Sequence, residues 1–423
     1  MKFVNVTEFI KWVESQKRFS KKENLDKMNY LMSLFDHPER KFKSIHITGT
    51  NGKGSTVAML RSILLDRGLN VATFTSPYIT VFNERIGFNN QNISDNDLLK
   101  YANLILDKYD TILNDGYELP TFFEFITLLA FIYFANIKNL DIALIEVGMG
   151  GRLDCTNVIT PILSIITNVA YDHMQILGNT LDEILVQKLG IVKNNIPFVC
   201  GIKDESLKNI CKKHSLEKHA DLTFVDHNII QIQQCDTHKS VFTYKNYENI
   251  NLSLIGIHQI ENACLVIEAF EIIKTKLNLT IDNLYNGLNN VFWQGRLETI
   301  SKNPYILVDG GHNIDGVKRV CEFVKTLNYK TKRLVVSISD DKEKEQMIKL
   351  LDDTFNEIIF TKYTYSRSAN LDELYSLSNC NHKIKCNTVK EALDYVLFNE
   401  TDFTIFLGSL YLVSEVRNLI KKD

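Results

Sequence analysis

The sequence predicts an α/β protein of two domains, each a mostly parallel sheet with helices on its faces. Three observations predict it. Short β-branched runs alternate with helical patterns, the βαβ signature of parallel sheets buried on both sides. One of those runs, within Ser44–Thr56, turns abruptly into a glycine-rich bend and then a helix. Finally, a chain of 423 residues is too long for one comfortable core.

The first candidate strand, Ser44–Thr48, leads into Gly49-Thr50-Asn51-Gly52-Lys53-Gly54-Ser55-Thr56 and a helix expected over Ser55–Arg67. Glycines let backbone N–H groups point inward, the helix end adds partial positive charge, and Lys53 brings a full one, so the stretch reads as an anion site. Ser55 or Thr56 stands where a hydroxyl can ligate Mg²⁺ beside phosphates. Gly49 lies three residues before Gly52, where the common phosphate loop has five. A lone glycine–lysine bend is more often an ordinary turn; strand before and helix after favour phosphate.

Further strands are expected at Val71–Thr75, Ile142–Val147, Leu163–Thr167 and Phe198–Gly201, with helices over Asp95–Leu113 and Thr121–Ile137 between them. The most apolar segment, Phe122–Ile137, is interrupted by Glu124 and Thr127 and is short for a bilayer, so it reads as a buried helix. Residues 220–253 read as short alternating segments, an antiparallel addition to the first domain. A second βα series follows Phe292-Trp293-Gln294-Gly295-Arg296, with strands at Tyr305–Val308, Arg333–Ile338, Glu357–Thr361 and Phe403–Leu407. The domain boundary is therefore placed at Gln294, giving domains 1–294 and 295–423.

Composition narrows the function classes. Hydrophobic residues make up 45% and charged residues 23%, as in a globular protein without a large disordered part. A net charge of −3 gives no general attraction to nucleic acid or anionic membrane. Met1–Glu8 lacks the basic-then-apolar layout of a secretory signal, and the eight cysteines contain no Cys-x-x-Cys pair. A cytoplasmic protein with reduced thiols is expected. Cys380 and Cys386 flank His382 at a spacing that matches no common zinc pattern.

In doubly wound sheets, ligands collect at the carboxyl ends of the strands. Val71–Thr75 ends in Ser76-Pro77-Tyr78, Ile142–Ile145 in Glu146 and the run Val147–Asp154, and Ile165–Asn168 leads to Asp172-His173. If these strands are neighbours, Ser76, Glu146 and His173 converge beside the phosphates, a donor set that suits Mg²⁺. Singly, they read as a turn serine, a surface acid and a loop histidine. As three strand ends behind one phosphate loop, they read as a site. Lys188, within the helical stretch Leu181–Lys193, has apolar neighbours; residue physics alone favours a snorkelling side chain. In the second series, Asp309-Gly310-Gly311-His312 at a strand end suggests nucleotide contacts. Arg296 is placed to reach phosphate, with a structural salt bridge as its plain alternative. Gly408–Leu412 reads as helix capping.

These segments, in this order, resemble folylpolyglutamate synthase and dihydrofolate synthase, members of the muramyl-ligase-like ATP-dependent amide ligases. Gly49–Ser55 is similar to the family's shortened phosphate loop. Phe74–Pro77 with Phe82-Asn83-Glu84-Arg85-Ile86 resembles a second family stretch, and Glu146–Asn157 a third. The resemblance implies an N-terminal doubly wound P-loop ATPase domain and a smaller C-terminal Rossmann-like α/β domain. It implies ATP held by Thr50, Asn51, Gly52, Lys53, Gly54, Ser55 and Thr56, with Asn262 near the adenine. Arg296, Asp309 and His312 would complete the nucleotide site from the second domain. Ser76, Glu146 and His173 would be magnesium ligands, with two Mg²⁺ per ATP, and Lys188 would be the lysine the family carbamylates. Lys53, His173 and Lys188 would be the catalytic groups. Four positions depart from the family pattern: Tyr78 for histidine, Gln187 for glutamate, and Gly311 and Cys155 for alanine.

The chemistry so implied is ATP-driven amide synthesis through an acyl phosphate. L-Glutamate is the amine, and a reduced folate or dihydropteroate is the carboxylate, handled by a monomer with no nucleic-acid or membrane partner. Dihydrofolate synthase activity alone is the nearest alternative. A muramyl ligase fits less well, because Gly54 follows Lys53 and no nucleotide-sugar region is evident. A nucleotide-dependent switch or non-catalytic folate binder would leave Lys188 and the Asp309–His312 pair unexplained.

Overall fold

A computed structural model of the chain describes residues 2–17, 23–365, 367–399 and 401–420. It divides into two compact units, Met1–Ile229 with Asn262–Asn290, and Ile230–Glu261 with Val291–Asp423.

In the first unit the apolar runs become strands buried at every position, as a sheet covered on both faces requires. Its helices are α1 (Val6–Ser15), α2 (Asp26–Ser33), α3 (Lys53–Asp66), α4 (Asp95–Leu106), α5 (Tyr109–Asn114), α6 (Phe122–Ala135), α7 (Met174–Leu177), α8 (Leu181–Leu189) and α9 (Glu205–Lys218). Its strands are β1 (Ser44–Thr48), β2 (Val71–Phe74), β3 (Ile86–Phe88), β4 (Gln91–Asn92), β5 (Ile142–Glu146), β6 (Leu163–Ile166), β7 (Phe198–Cys200) and β8 (Leu222–Phe224). They lie in the order β4-β3-β2-β5-β1-β6-β7-β8, with only the β2–β3 and β3–β4 pairings antiparallel. One core cluster gathers residues of α1, α2, α4 and α6; another joins α8 and α9 to β6 and β7.

The apolar run predicted as a buried helix is α6, with ten buried residues along its length. A capping box starts it: Glu124 accepts the Thr121 N–H at 2.8 Å and also pairs with Lys27 at 2.9 Å. The helix expected over Asp95–Leu113 is instead two, α4 and α5, with Asp107 and Lys108 between them. The first-turn helix begins at Lys53, two residues before the expected start. The short strands β3 and β4 had no pattern long enough to read.

The chain continues with β9 (Gln231–Cys235), β10 (Ser240–Tyr244), β11 (Tyr247–Leu252), α10 (Ile257–Ile273) and α11 (Ile281–Asn290). α11 belongs with the first unit, where Gly287 lies so close to Ile63 of α3 that a Cβ would come within 2.6 Å of its Cα. The strands β9–β11 form a separate antiparallel sheet. Contrary to expectation, it packs with the second unit: Tyr305 donates to the Thr237 carbonyl at 2.8 Å, and Cys235 and Ile255 join that unit's core. Its alternation showed that one face is buried but not against what.

The second unit holds β12 (Glu298–Lys302), β13 (Tyr305–Asp309), α12 (Ile314–Thr326), β14 (Lys332–Val336), α13 (Lys344–Asp352), β15 (Glu357–Phe360), α14 (Leu371–Leu377), β16 (Lys383–Lys385), α15 (Val389–Phe398), β17 (Phe403–Leu407) and α16 (Leu410–Ile420). Its sheet runs β12-β13-β17-β14-β15-β16, parallel except for the edge pair β12–β13. No helix of the described residues is long and apolar enough to cross a membrane.

Candidate active site

The sheet order answers the condition set by the sequence, because β2, β5, β1 and β6 are consecutive parallel neighbours. Their ends are level: Phe74 pairs with Ile145, Ile47 with Glu146, and Thr48 with Ile166. The loops after all four strands therefore leave the same edge.

The glycine bend is built by close approach. Gly49 has φ +156°, and a Cβ there would meet Thr167 Oγ1 at 1.7 Å. Gly52 has φ +84°, and a Cβ would fall 2.5 Å from Asn262 Oδ1, which places Asn262 over the bend. Residues after β6 hold the loop from the other side. Asn168 accepts Thr50 N–H on its carbonyl at 3.1 Å and Asn51 N–H on Oδ1 at 2.9 Å. Thr167 donates to the Asn51 carbonyl at 2.5 Å, and Thr50 donates to the Ala170 carbonyl at 3.1 Å. Reading the chain locally missed Thr167 and Asn168, which lie more than a hundred residues from the loop they hold.

Gly52 caps α3, and Lys53 opens it, its Nζ donating to the Gly49 and Thr50 carbonyls at 3.0 and 3.1 Å. The structure separates the two hydroxyls that the sequence left equal. Thr56 donates to the Gly52 carbonyl at 2.9 Å, whereas Ser55 Oγ is buried and has no hydrogen-bond partner among the described residues.

Glu146, 4% exposed, accepts the Ser76 N–H on Oε2 at 3.1 Å, so two of the expected metal residues adjoin. His173 is exposed and left-handed (φ 51°) at the start of α7, with Nε2 3.9 Å from Asp172 Oδ1. No three His, Cys, Asp or Glu side chains among the described residues cluster in a metal-holding group. A cation here would need hydroxyl and phosphate oxygens in its shell. That fits Mg²⁺, which takes few protein ligands, and the orphaned Ser55 hydroxyl is an oxygen of the required kind.

Lys188, in the last turn of α8, is 2% exposed. Burial pushes its pKa down to about 7, the nearby positive charge of Lys53 pushes the same way, and Asp172 opposes both. The snorkelling alternative is thereby excluded, because the amine does not reach solvent. In the sequence Asp172 stands only as the neighbour of His173, and nothing local to it shows its effect on Lys188.

The other quoted stretches are braced from within. Glu84 accepts N–H bonds from Ile79, Thr80 and Val81 at 2.8–3.2 Å. The Arg85 guanidinium lies 5.1–5.6 Å from the rings of Tyr78, Phe82 and Phe122. The departing Tyr78 also donates to Glu14 at 2.9 Å. Asp154 accepts from Met149 N, Thr156 N and Thr156 Oγ1, fixing the glycine loop after β5.

Within the second unit, Asp309 is buried at the end of β13 and accepts Leu297 N–H at 2.8 Å and Gly311 N–H at 2.7 Å. Burial raises its carboxyl pKa, opposed by Arg296 and those two donors. The Arg296 guanidinium donates to the Gly295 carbonyl at 3.0 Å and lies where a Cβ on Gly310 would meet it at 2.5 Å. His312 Nδ1 is 2.9 Å from the Gly310 carbonyl. The three residues the sequence singled out thus form one local group. At the departing Gly311, a Cβ would lie 3.1 Å from Asp309 Oδ1.

Comparison with known proteins agrees along the whole chain. Residues 47–270 match the Mur ligase middle domain, and residues 295–410 match the Mur ligase glutamate ligase domain. The dihydrofolate synthase/folylpolyglutamate synthase of Bacillus subtilis (strain 168) is 36% identical, over 97% of this chain and 98% of that one. The folylpolyglutamate synthase of Lacticaseibacillus casei is 31% identical over 99% of each. The crystal structure of folylpolyglutamate synthase from Thermotoga maritima superposes with a TM-score of 0.87 at 29% identity, covering 98% of this chain and 96% of that one. With its phosphate loop, its level strand ends and full-length relatives above 30% identity, this chain belongs to the folylpolyglutamate synthase/dihydrofolate synthase family of Mur-type ligases.

Proposed function

We propose that this chain ligates L-glutamate to the carboxylate of a reduced folate at the expense of ATP, acting as a monomer in the cytoplasm. The observation that carries the reading is Lys188, buried, its pKa pushed down to about 7 by burial and by the positive charge of the phosphate-loop Lys53. A nucleotide switch needs the loop but has no use for such a lysine. Addition of CO₂ to its neutral amine, with release of one proton, gives a carbamate, whose negative charge would attract Lys53 where an ammonium would repel it.

In the proposed reaction the folate carboxylate attacks the γ-phosphorus of ATP, the β,γ bond breaks, ADP leaves and an acyl phosphate forms. The glutamate amine then attacks the carbonyl, the nitrogen loses a proton, and phosphate leaves. Lys53 and the N–H groups at the start of α3 neutralise charge on the transferring group. Ser76, Glu146 and His173 would hold Mg²⁺, which when bound supplies further neutralisation of the phosphate oxygens. Asn262 is assigned to the adenine, and Arg296, Asp309 and His312 to the nucleotide, on the family resemblance.

Purified protein should release phosphate from ATP only when a folate and glutamate are both present. Lys188→Ala should abolish most ligation while leaving the fold intact; a fully active variant would remove Lys188 from the mechanism. Dihydrofolate synthase activity is the second reading, favoured because the Bacillus subtilis relative carries both names. Dihydropteroate and tetrahydrofolate assayed side by side decide between one activity and two.

A further inference from the structure

A helix leaves its last carbonyls without intrahelical partners, and a lysine in the last turn is only as fixed as that end. At the end of α8 each carbonyl from Gln187 to Ile191 has a partner. Lys188 O accepts Ile191 N–H at 3.2 Å, and Leu189 O accepts Val192 N–H at 2.9 Å. The others are met from outside the helix. Gln187 O accepts Arg152 N–H at 2.7 Å, Gly190 O accepts Asn157 Nδ2 at 3.0 Å, and Ile191 O accepts Ser164 Oγ at 3.0 Å.

Two of these donors belong to the loop after β5, and glycines let it press against the helix end. A Cβ on Gly151 would stand 2.8 Å from both the Gln187 and Lys188 carbonyls, and one on Gly190 would stand 2.3 Å from Arg152 Cα. Asn157 ties the assembly together. It is 6% exposed, and its amide donates to Arg152 O and Gly190 O, both at 3.0 Å, while its Oδ1 is buried with no partner among the described residues. An amide oxygen left unmet inside a protein is costly, so the arrangement favours the bridge over the residue's own satisfaction. The far end of the loop is tied to β1, where Thr48 Oγ1 donates to Gly150 O at 2.5 Å. The strand feeding the phosphate loop and the helix end carrying Lys188 are thus spanned by one braced segment.

We infer that Asn157 is a positioning residue: by bridging the Arg152 and Gly190 carbonyls it fixes the end of α8 and so holds Lys188 in register with the phosphate loop. The inference rests on the proposed role of Lys188 as a carbamylated lysine.

The test compares wild type, Asn157→Asp, Asn157→Ala, Lys188→Ala and Leu98→Ala. Asp keeps the shape of Asn but donates nothing. Leu98 is buried on α4 in the core cluster that excludes α8, so its variant controls for lost stability without touching the helix that carries Lys188. Each protein is equilibrated with ¹³C-bicarbonate, its carbamate resonance is recorded, and steady-state kinetics are measured well below its Tm. The expected result is a carbamate signal in wild type and Leu98→Ala that Lys188→Ala lacks. Both Asn157 variants should weaken it severalfold. Their kcat should fall by about tenfold or more, since a shift of about 1 Å at reacting groups costs up to about a hundredfold, with KM for ATP little changed. Undiminished signal and kcat in both Asn157 variants would overturn the inference. So would a fall in kcat matched by Leu98→Ala, which would reduce Asn157 to ordinary stability. A wild type without a Lys188-dependent signal would overturn it at its premise, locating the failure in the reading of Lys188 rather than in the cap.

Discussion

At position 52 the backbone is left-handed and Asn262 occupies the space a side chain would need, so glycine is required twice over. Gly52→Ala should cost roughly 1–2 kcal/mol of local strain. Because that strain is relieved by moving the bend, kcat/KM for ATP should fall about tenfold, which is about 1.4 kcal/mol in the barrier. An unchanged value would mean the bend does not contact nucleotide. His46 offers a second test. It is fully buried in β1, with Nε2 2.8 Å from Thr156 Oγ1, and that hydroxyl donates to Asp154. The imidazole is therefore the donor through Nε2. Burial, with Lys193 nearby, lowers its pKa from 6.5 to about 3. Below pH 6.5 the unfolded chain binds a proton that the folded chain refuses, so stability contributed by neutral His46 is present above that pH and is lost as pH falls toward 3. Between pH 7.5 and 5, urea unfolding of wild type should lose about 2 kcal/mol more than His46→Gln. Equal losses would show that the histidine is protonated in place.

Among elements, the turn between β2 and β3 depends on one carboxylate. Glu84 accepts three successive backbone N–H groups, and Glu84→Ala would leave Ile79, Thr80 and Val81 to find water. The expected loss is about 1–3 kcal/mol in urea unfolding. At the start of α6, Thr121→Ala should cost about 1 kcal/mol by removing one half of the capping box. A larger loss would indicate that the Glu124–Lys27 pair fails with the cap. The stretches around Glu84 and Asp154 were visible in the sequence, and the structure shows them bracing loops: Glu84 accepts backbone N–H groups, and Asp154 accepts backbone N–H groups and the Thr156 hydroxyl.

For the whole molecule, ligand linkage gives the direct test. A non-hydrolysable ATP analogue with Mg²⁺ at about 100 times its Kd should stabilise the protein by about 2.7 kcal/mol, read as a rise in Tm. Lys53→Ala should lose most of that rise, and a full rise in the variant would dissociate the lysine from nucleotide binding. The sequence by itself determined the βα alternation, the phosphate loop and the strand-end positions of Ser76, Glu146 and Asp309. Each is written locally, in hydrophobic period and in glycines next to a lysine. It did not determine that Asp95–Leu113 breaks in two, nor that the β9–β11 sheet packs with the second unit, because an amphipathic pattern shows that a face is buried without naming the surface that buries it. Only the tertiary structure decided that Ser55 rather than Thr56 has a spare hydroxyl, that Thr167 and Asn168 hold the phosphate loop, and that Lys188 is dry. Hydroxyl satisfaction and lysine pKa depend on which distant segments close over a residue. Sheet order, which no local pattern encodes, makes those segments neighbours.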